Sequence, residues 1–119
     1  TSNRISKEVI IAYDAPFPDN SYKAGVRILP SLVPATPDDP EDIPNMEAFG
    51  KYKNWTKPFL TCFSDNDPIT RGGDQLFQRI VPGAKGQPHT TVKGGHFVQE
   101  DSGPELAKII VDFIKKNPL

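Results

Sequence analysis

Downstream of residue 58 the chain runs strand, helix, strand, helix, and this order constrains its fold more than any other feature. Phe59-Leu60-Thr61-Cys62-Phe63 is a short apolar run bounded by turn residues, the signature of a buried strand. A helix follows with Leu76, Phe77, Ile80 and Val81 as its apolar positions; Thr70 is placed to cap it, and Pro82-Gly83 to end it. His89 to Val92 reads as a second strand, and Gly94-Gly95-His96 as a turn. The last helix is the best marked. Ser102-Gly103-Pro104-Glu105 has the spacing of a capping box, and Leu106, Ile109, Ile110, Phe113 and Ile114 form one apolar stripe. Strand–helix repetition of this kind is the unit of a parallel α/β sheet. Two buried parallel strands need cover on both faces and neighbours at their edges. The sequence is therefore expected to be one piece of a longer α/β protein. Its partner would be the missing N-terminal part or further copies of itself.

Upstream of residue 45 the character is different. Ser6 is placed to cap a helix running from Lys7 through about Tyr13, with Ile5 and Ile10 at the positions of a hydrophobic staple. Residues before prolines are pushed away from helical angles, so Asp14 to Asp19 is expected to be extended. Ser21 then caps a short helix through about Ile28, closed by Pro30. Seven of the 13 prolines fall between Pro16 and Pro44, and Pro34 to Pro44 adds Asp38, Asp39, Glu41 and Asp42. That stretch reads as an acidic connector between two layers. Residues 1–44 and 45–119 are thus expected to be separate parts, the second opening with Met46, Phe49 and Tyr52 at helical spacing. A start on Thr1 rather than methionine agrees with a piece of something longer.

Charge and composition remove several classes of function. Fourteen Lys and Arg against 15 Asp and Glu leave a formal charge of −1 among 119 residues, without the basic footprint of a nucleic-acid binder. The longest unbroken apolar run, Val9 to Tyr13, is far below the ~20 residues of a bilayer crossing, and nothing reads as a signal peptide. Cys62 is the sole cysteine, so no internal disulfide is available and a cytoplasmic location is expected. Asp65-Asn66-Asp67 lacks the glycine and terminal glutamate of a calcium loop. Pro82-Gly83-Ala84-Lys85-Gly86 lacks the ending of a phosphate loop. One Cys and two His separated by strands give no zinc spacing.

Two segments carry chemistry. Ser64-Asp65-Asn66-Asp67-Pro68-Ile69 follows the first strand directly, and Gly94-Gly95-His96-Phe97 follows the second. Open α/β sheets place their active sites at the carboxyl ends of neighbouring strands. A carboxylate on one such loop can accept from one imidazole nitrogen of a histidine on the next, which leaves the other nitrogen as a base. Asp67 is preferred to Asp65 as the acid, because it lies further past the strand end and Pro68 stiffens its turn. His96 is the base. His89, beside Pro88, is expected to be an exposed or edge residue.

With these residues placed, the chain resembles the C-terminal part of an α/β-hydrolase, and specifically of a haloalkane dehalogenase. The resemblance rests on Ala12-Tyr13-Asp14-Ala15-Pro16-Phe17-Pro18-Asp19, Ser21-Tyr22, Ala24-Gly25-Val26-Arg27, Leu29-Pro30-Ser31-Leu32-Val33 and Gly95-His96-Phe97-Val98-Gln99-Glu100. It implies the last two parallel strands with their flanking helices, preceded by the second half of a helical cap in residues 1–44. It makes Asp67 the triad acid and His96 the triad base. Leu29, Pro30 and Val33 would line the substrate pocket from the cap, and Ile69 from the acid loop. Phe is commoner in the family where Leu29 stands. The implied substrate is a halogenated small molecule, and the implied nucleophile is an aspartate on an elbow that no stretch here matches. An epoxide hydrolase is the nearest rival, with Tyr13 and Tyr22 as available phenols. An esterase of the same superfamily also shares the acid and base, and a non-catalytic binding protein built on the same fold could keep the pair without turnover.

Overall fold

The computed structural model describes residues 4–118, which form two compact units, one of residues 5–51 and one of Arg4 with the residues from Tyr52 onward. The first unit is helical. Helix α1 spans Lys7–Asp14, and the Ser6 hydroxyl accepts from the Val9 amide at 3.4 Å. Asp14 and Ala15, expected to be extended, are instead helical: Ala15 keeps φ −52° and ψ −37° and donates to the Ile11 carbonyl at 2.9 Å, and the ladder stops at Pro16, whose nitrogen carries no hydrogen to continue it. The next cap is Asp19 rather than Ser21: its Oδ1 accepts from both the amide and the hydroxyl of Ser21, at 2.8 and 2.7 Å. An ionised carboxylate can take both donors at once, whereas the Ser21 hydroxyl is itself one of them. A 3₁₀ turn, Asn20–Lys23, leads into α2, Ala24–Ile28. Pro30 does not end the helical path. It sits at the start of a further 3₁₀ turn, Leu29–Leu32, where a missing N–H is harmless.

Helix α3 spans Asp42–Tyr52 and starts three residues earlier than the sequence pattern indicates. Pro44 lies in its first turn, where amides have no intrahelical acceptor, so the ring is tolerated there. Of the expected acidic connector, the part ahead of α3 is held locally by Asp39, whose Oδ2 accepts from the amides of Ala35 and Thr36 at 2.6 and 2.7 Å.

The second unit carries the sheet. Strand β1, Cys62–Ser64, pairs in parallel with β2, Thr90–Val92, in the register Cys62–Thr90, Phe63–Thr91, Ser64–Val92. The pairing continues past both ends through Thr90 N to Thr61 O (3.2 Å), Asp65 N to Val92 O (2.9 Å) and Asn66 N to Gly94 O (3.1 Å). Phe59 is outside the ladder and donates to the Gly83 carbonyl at 3.0 Å instead. Between the strands lies α4, Gly73–Ile80, preceded by Gly72 in the left-handed region rather than capped by Thr70.

Helix α5, Val98–Lys116, packs on both strands and begins four residues ahead of the expected start. That start survives as a kink: Ser102 has φ −138° and ψ 36°, and its hydroxyl donates to the Lys93 carbonyl at 2.6 Å. Among the described residues the fully buried apolar side chains are Val81, Ala84 and Val92. Beside them Tyr52, Phe59 and Phe77 form a three-ring cluster with centroids 5.6 to 5.8 Å apart.

Candidate active site

Parallel neighbours deliver their loops to the same end of a sheet, and here that brings the two expected residues into contact. Asp67 follows β1 by three residues and His96 follows β2 by four. His96 Nδ1 lies 3.0 Å from Asp67 Oδ2. The carboxylate is 7% exposed and the imidazole 44% exposed.

Donors converge on Asp67 from its own loop. Oδ1 accepts from the Ile69 amide at 2.8 Å, an Asx turn set up by Pro68, and Oδ2 accepts from the Thr70 hydroxyl at 2.5 Å. The Thr70 hydroxyl is the largest influence holding the carboxyl well below its ordinary value. Burial opposes it, and the bonds from His96 and from the amides of Ile69 and Thr70 assist. The group is therefore ionised at neutral pH. An ionised carboxylate only accepts, so Nδ1 of His96 carries the hydrogen and Nε2 is turned away from Asp67.

The turn that bears His96 is held just as closely. Gly94 and Gly95 are buried, and buried amides need acceptors. Gly94 N donates to Asp65 Oδ1 at 3.1 Å, and Gly95 N to Asp101 Oδ2 at 2.7 Å. A Cβ on Gly94 would lie 3.0 Å from the Asp101 Cβ, so glycine is what lets this turn approach α5. Thr70, Asp65 and Asp101 are contributors that reading by motif passes over. The signal was present for two of them: a Gly-Gly turn directly after a buried strand presents two amides that no strand will take up.

The pocket-lining expectations fall in both units. Ile69 adjoins Asp67 through its backbone, and its side chain is 73% exposed. Leu29, Pro30 and Val33 sit together in and after the second 3₁₀ turn of the first unit, all exposed. His89, expected to be an exposed or edge residue beside Pro88, is half-buried just ahead of β2. Its Nδ1 accepts from the Thr61 amide at 3.1 Å and lies 3.0 Å from the Thr61 hydroxyl, while Nε2 donates to the Ala84 carbonyl at 2.8 Å. Gln78 Nε2 completes this network on the Thr61 hydroxyl at 2.8 Å. Both ring nitrogens of His89 are engaged, whereas His96 has Nε2 available. Among the described residues no three His, Cys, Asp or Glu side chains gather where a metal ion could be held. No helix among them is long and apolar enough to cross a membrane.

No protein-family model matches the chain. Individual curated proteins do. A haloalkane dehalogenase of Psychrobacter cryohalolentis is 56% identical over 119 residues, 99% of this chain and 39% of that protein. One of Mycobacterium marinum is 46% identical over 95% of this chain and 38% of its own length. Haloalkane dehalogenase 1 of Mycobacterium tuberculosis is 48% identical over 91% and 36%. The chain thus spans less than two-fifths of the length of these relatives. The two parallel strands with helices between and after them are consistent with the C-terminal part of an α/β-hydrolase. Similar at this level along nearly all of its length, the chain belongs to the haloalkane dehalogenase family and carries a portion of that family's α/β-hydrolase fold.

Proposed function

We propose that the complete protein carrying this chain hydrolyses carbon–halogen bonds of haloalkanes, and that the chain supplies the base and its acid partner. The observation that supports this reading most is the 3.0 Å contact between His96 Nδ1 and a buried, ionised Asp67, with Nε2 directed elsewhere. An aspartate outside this chain would attack the halogen-bearing carbon. A C–O bond forms, the C–X bond breaks, and halide leaves with the bonding pair. His96 Nε2 then takes a proton from water, whose oxygen adds to the carbonyl of the alkyl ester. The tetrahedral intermediate expels the alcohol, which takes the proton from the imidazolium, and the carboxylic acid left behind loses its proton to solvent, which restores the carboxylate. Asp67 stabilises the imidazolium while it exists. No step calls for a metal or an organic cofactor.

Residues 1–44 are assigned to the second half of the helical cap and 45–119 to the main domain. Leu29, Pro30 and Val33 from the first and Ile69 from the second are assigned to the substrate pocket; their exposure in this chain supports the assignment. The many exposed apolar side chains favour association with the remainder of the fold or between copies. A cytoplasmic location is proposed on the single cysteine, Cys62.

The test is halide release by the complete protein from short bromoalkanes, with an epoxide as the competing substrate. Bromide release is expected. Epoxide opening without bromide release would move the protein to the epoxide hydrolases, ester hydrolysis alone to the esterases, and binding without turnover to the non-catalytic reading. In His96→Ala the alkyl ester should accumulate as a covalent adduct visible by intact-mass spectrometry, and turnover at the unmutated rate would remove His96 from the mechanism.

A further inference from the structure

We propose that Thr70 is a positioning residue for the second half-reaction, holding Asp67 Oδ2 in line with His96 Nδ1 by donating its hydroxyl hydrogen to that same oxygen. This rests on the proposed roles of Asp67 and His96.

The geometry supporting it is local. Oδ2 receives two donors, the Thr70 hydroxyl at 2.5 Å and His96 Nδ1 at 3.0 Å, and Oδ1 receives the Ile69 amide at 2.8 Å. Without the Thr70 hydroxyl the carboxylate keeps the amides of Ile69 and Thr70 but loses the only side-chain donor on Oδ2 besides His96, so its χ2 torsion, which is broad for Asp, is less firmly set. His96 cannot supply the missing constraint, because its ring is itself 44% exposed and rests on that same oxygen. Thr70 is also the residue the sequence places as the cap of α4, yet α4 is entered through left-handed Gly72 and no side chain bonds there as a cap. The Thr70 hydroxyl is given to the acid instead, and its carbonyl accepts from the Gly73 amide at 3.0 Å, which closes the turn and sets its place.

A carboxylate that wanders matters most when the imidazole is charged, during hydrolysis of the alkyl ester, and hardly at all while the nucleophile displaces halide. Misplacement of a catalytic group by about 1 Å costs up to ~100-fold in rate. Loss of one of the carboxylate's two side-chain donors is expected to cost about tenfold in the hydrolytic step.

The experiment compares the complete protein with its Thr70→Val and Thr70→Ser variants in pre-steady-state bromide release from a short bromoalkane. Thr70→Val should keep the full burst of halide. Its kcat should fall about tenfold and its KM in parallel, leaving kcat/KM unchanged, because only the step after ester formation is slowed. Thr70→Ser keeps a hydroxyl and should restore kcat. A merely structural role for Thr70 would shrink the burst and kcat together. Unchanged kcat in Thr70→Val, or Thr70→Ser as slow as Thr70→Val, overturns the proposal. If the unmutated protein releases no bromide, the dehalogenase reading has failed, and Thr70 is judged by the reaction of His96 with diethyl pyrocarbonate in the same three proteins. His96 should react several-fold more slowly in Thr70→Val than in the other two, and equal rates in all three overturn the proposal.

Discussion

Gly83→Ala is expected to unfold the part of the chain that leads into β1. The Cβ of an alanine at this position would lie 1.8 Å from the Lys57 carbonyl oxygen, 2.8 Å from the Lys57 carbonyl carbon and 3.1 Å from that of Thr56. An ordinary contact begins near 3.4 Å, so the two backbones must part by roughly 1.5 Å. Two hydrogen bonds cross this contact: Gly83 N to Trp55 O at 2.8 Å and Phe59 N to Gly83 O at 3.0 Å. A separation of that size takes both beyond hydrogen-bonding distance. Each is worth about 1 kcal/mol, and the overpacking strain adds about 1–3 kcal/mol, for a total near 3–5 kcal/mol. That is a large share of the ~5–15 kcal/mol that holds a domain folded. Trp55 is the sole tryptophan and accepts one of the two bonds, so its fluorescence reports on the contact directly. In urea, with a slope of about 1–3 kcal/mol per molar, the transition of Gly83→Ala should fall by about 1 M or more, or be absent. A midpoint within about 0.3 M of the unmutated chain would show that the contact yields without cost and would refute the reasoning.

Two further predictions rest on the polar networks. The Asp67 carboxyl is held below its ordinary value, so its contribution to stability is full above about pH 4 and is lost only as pH falls through its lowered value. The carboxyl carbon shift of Asp67 should therefore stay flat through the range in which exposed carboxylates titrate, and a midpoint near about pH 4 would contradict the bonds assigned to it. His89→Ala removes the acceptor of the Thr61 amide and the donor to the Ala84 carbonyl, at two residues that are 3% and 1% exposed. A loss of about 2–4 kcal/mol is expected by chemical denaturation, and a loss below about 0.5 kcal/mol would mean that water takes over both partners.

The site was more legible than the elements around it. Parallel order places the loops after β1 and β2 at one end, and chemistry then singles out a carboxylate and an imidazole from a short choice of residues. Asp67 and His96 meet there. Caps were read less well, because several polar residues compete for each helix start and composition does not decide between them. Ser21 lost to Asp19, which can accept twice. Thr70 gave its hydroxyl to Asp67, and Ser102 gave its own to Lys93, so neither starts its helix as the spacing suggests. Pro44 was read as part of a connector, although the first turn of a helix has no use for its amide. The bonds of His89 were not legible because its partners, Thr61 and Ala84, lie 28 and five residues away, beyond any local pattern. Asp65 and Asp101 serve the backbone of a glycine turn, an obligation that becomes visible only when buried amides are accounted for one by one.

The break at Ser102 gives α5 two duties that do not interfere. Ahead of it, Val98 to Asp101 is a single turn whose Asp101 steadies the histidine loop. Behind it, some four turns carry Leu106, Ile109 and Phe113 at helical spacing. In an unbroken rod, a change of side-chain volume in the long arm would tilt the short arm with it and carry His96 off its partner. A joint with non-helical angles lets the long arm settle by a small rotation while the short one stays put. Changes of side-chain volume along the packing surface are thereby kept from reaching the His96–Asp67 contact.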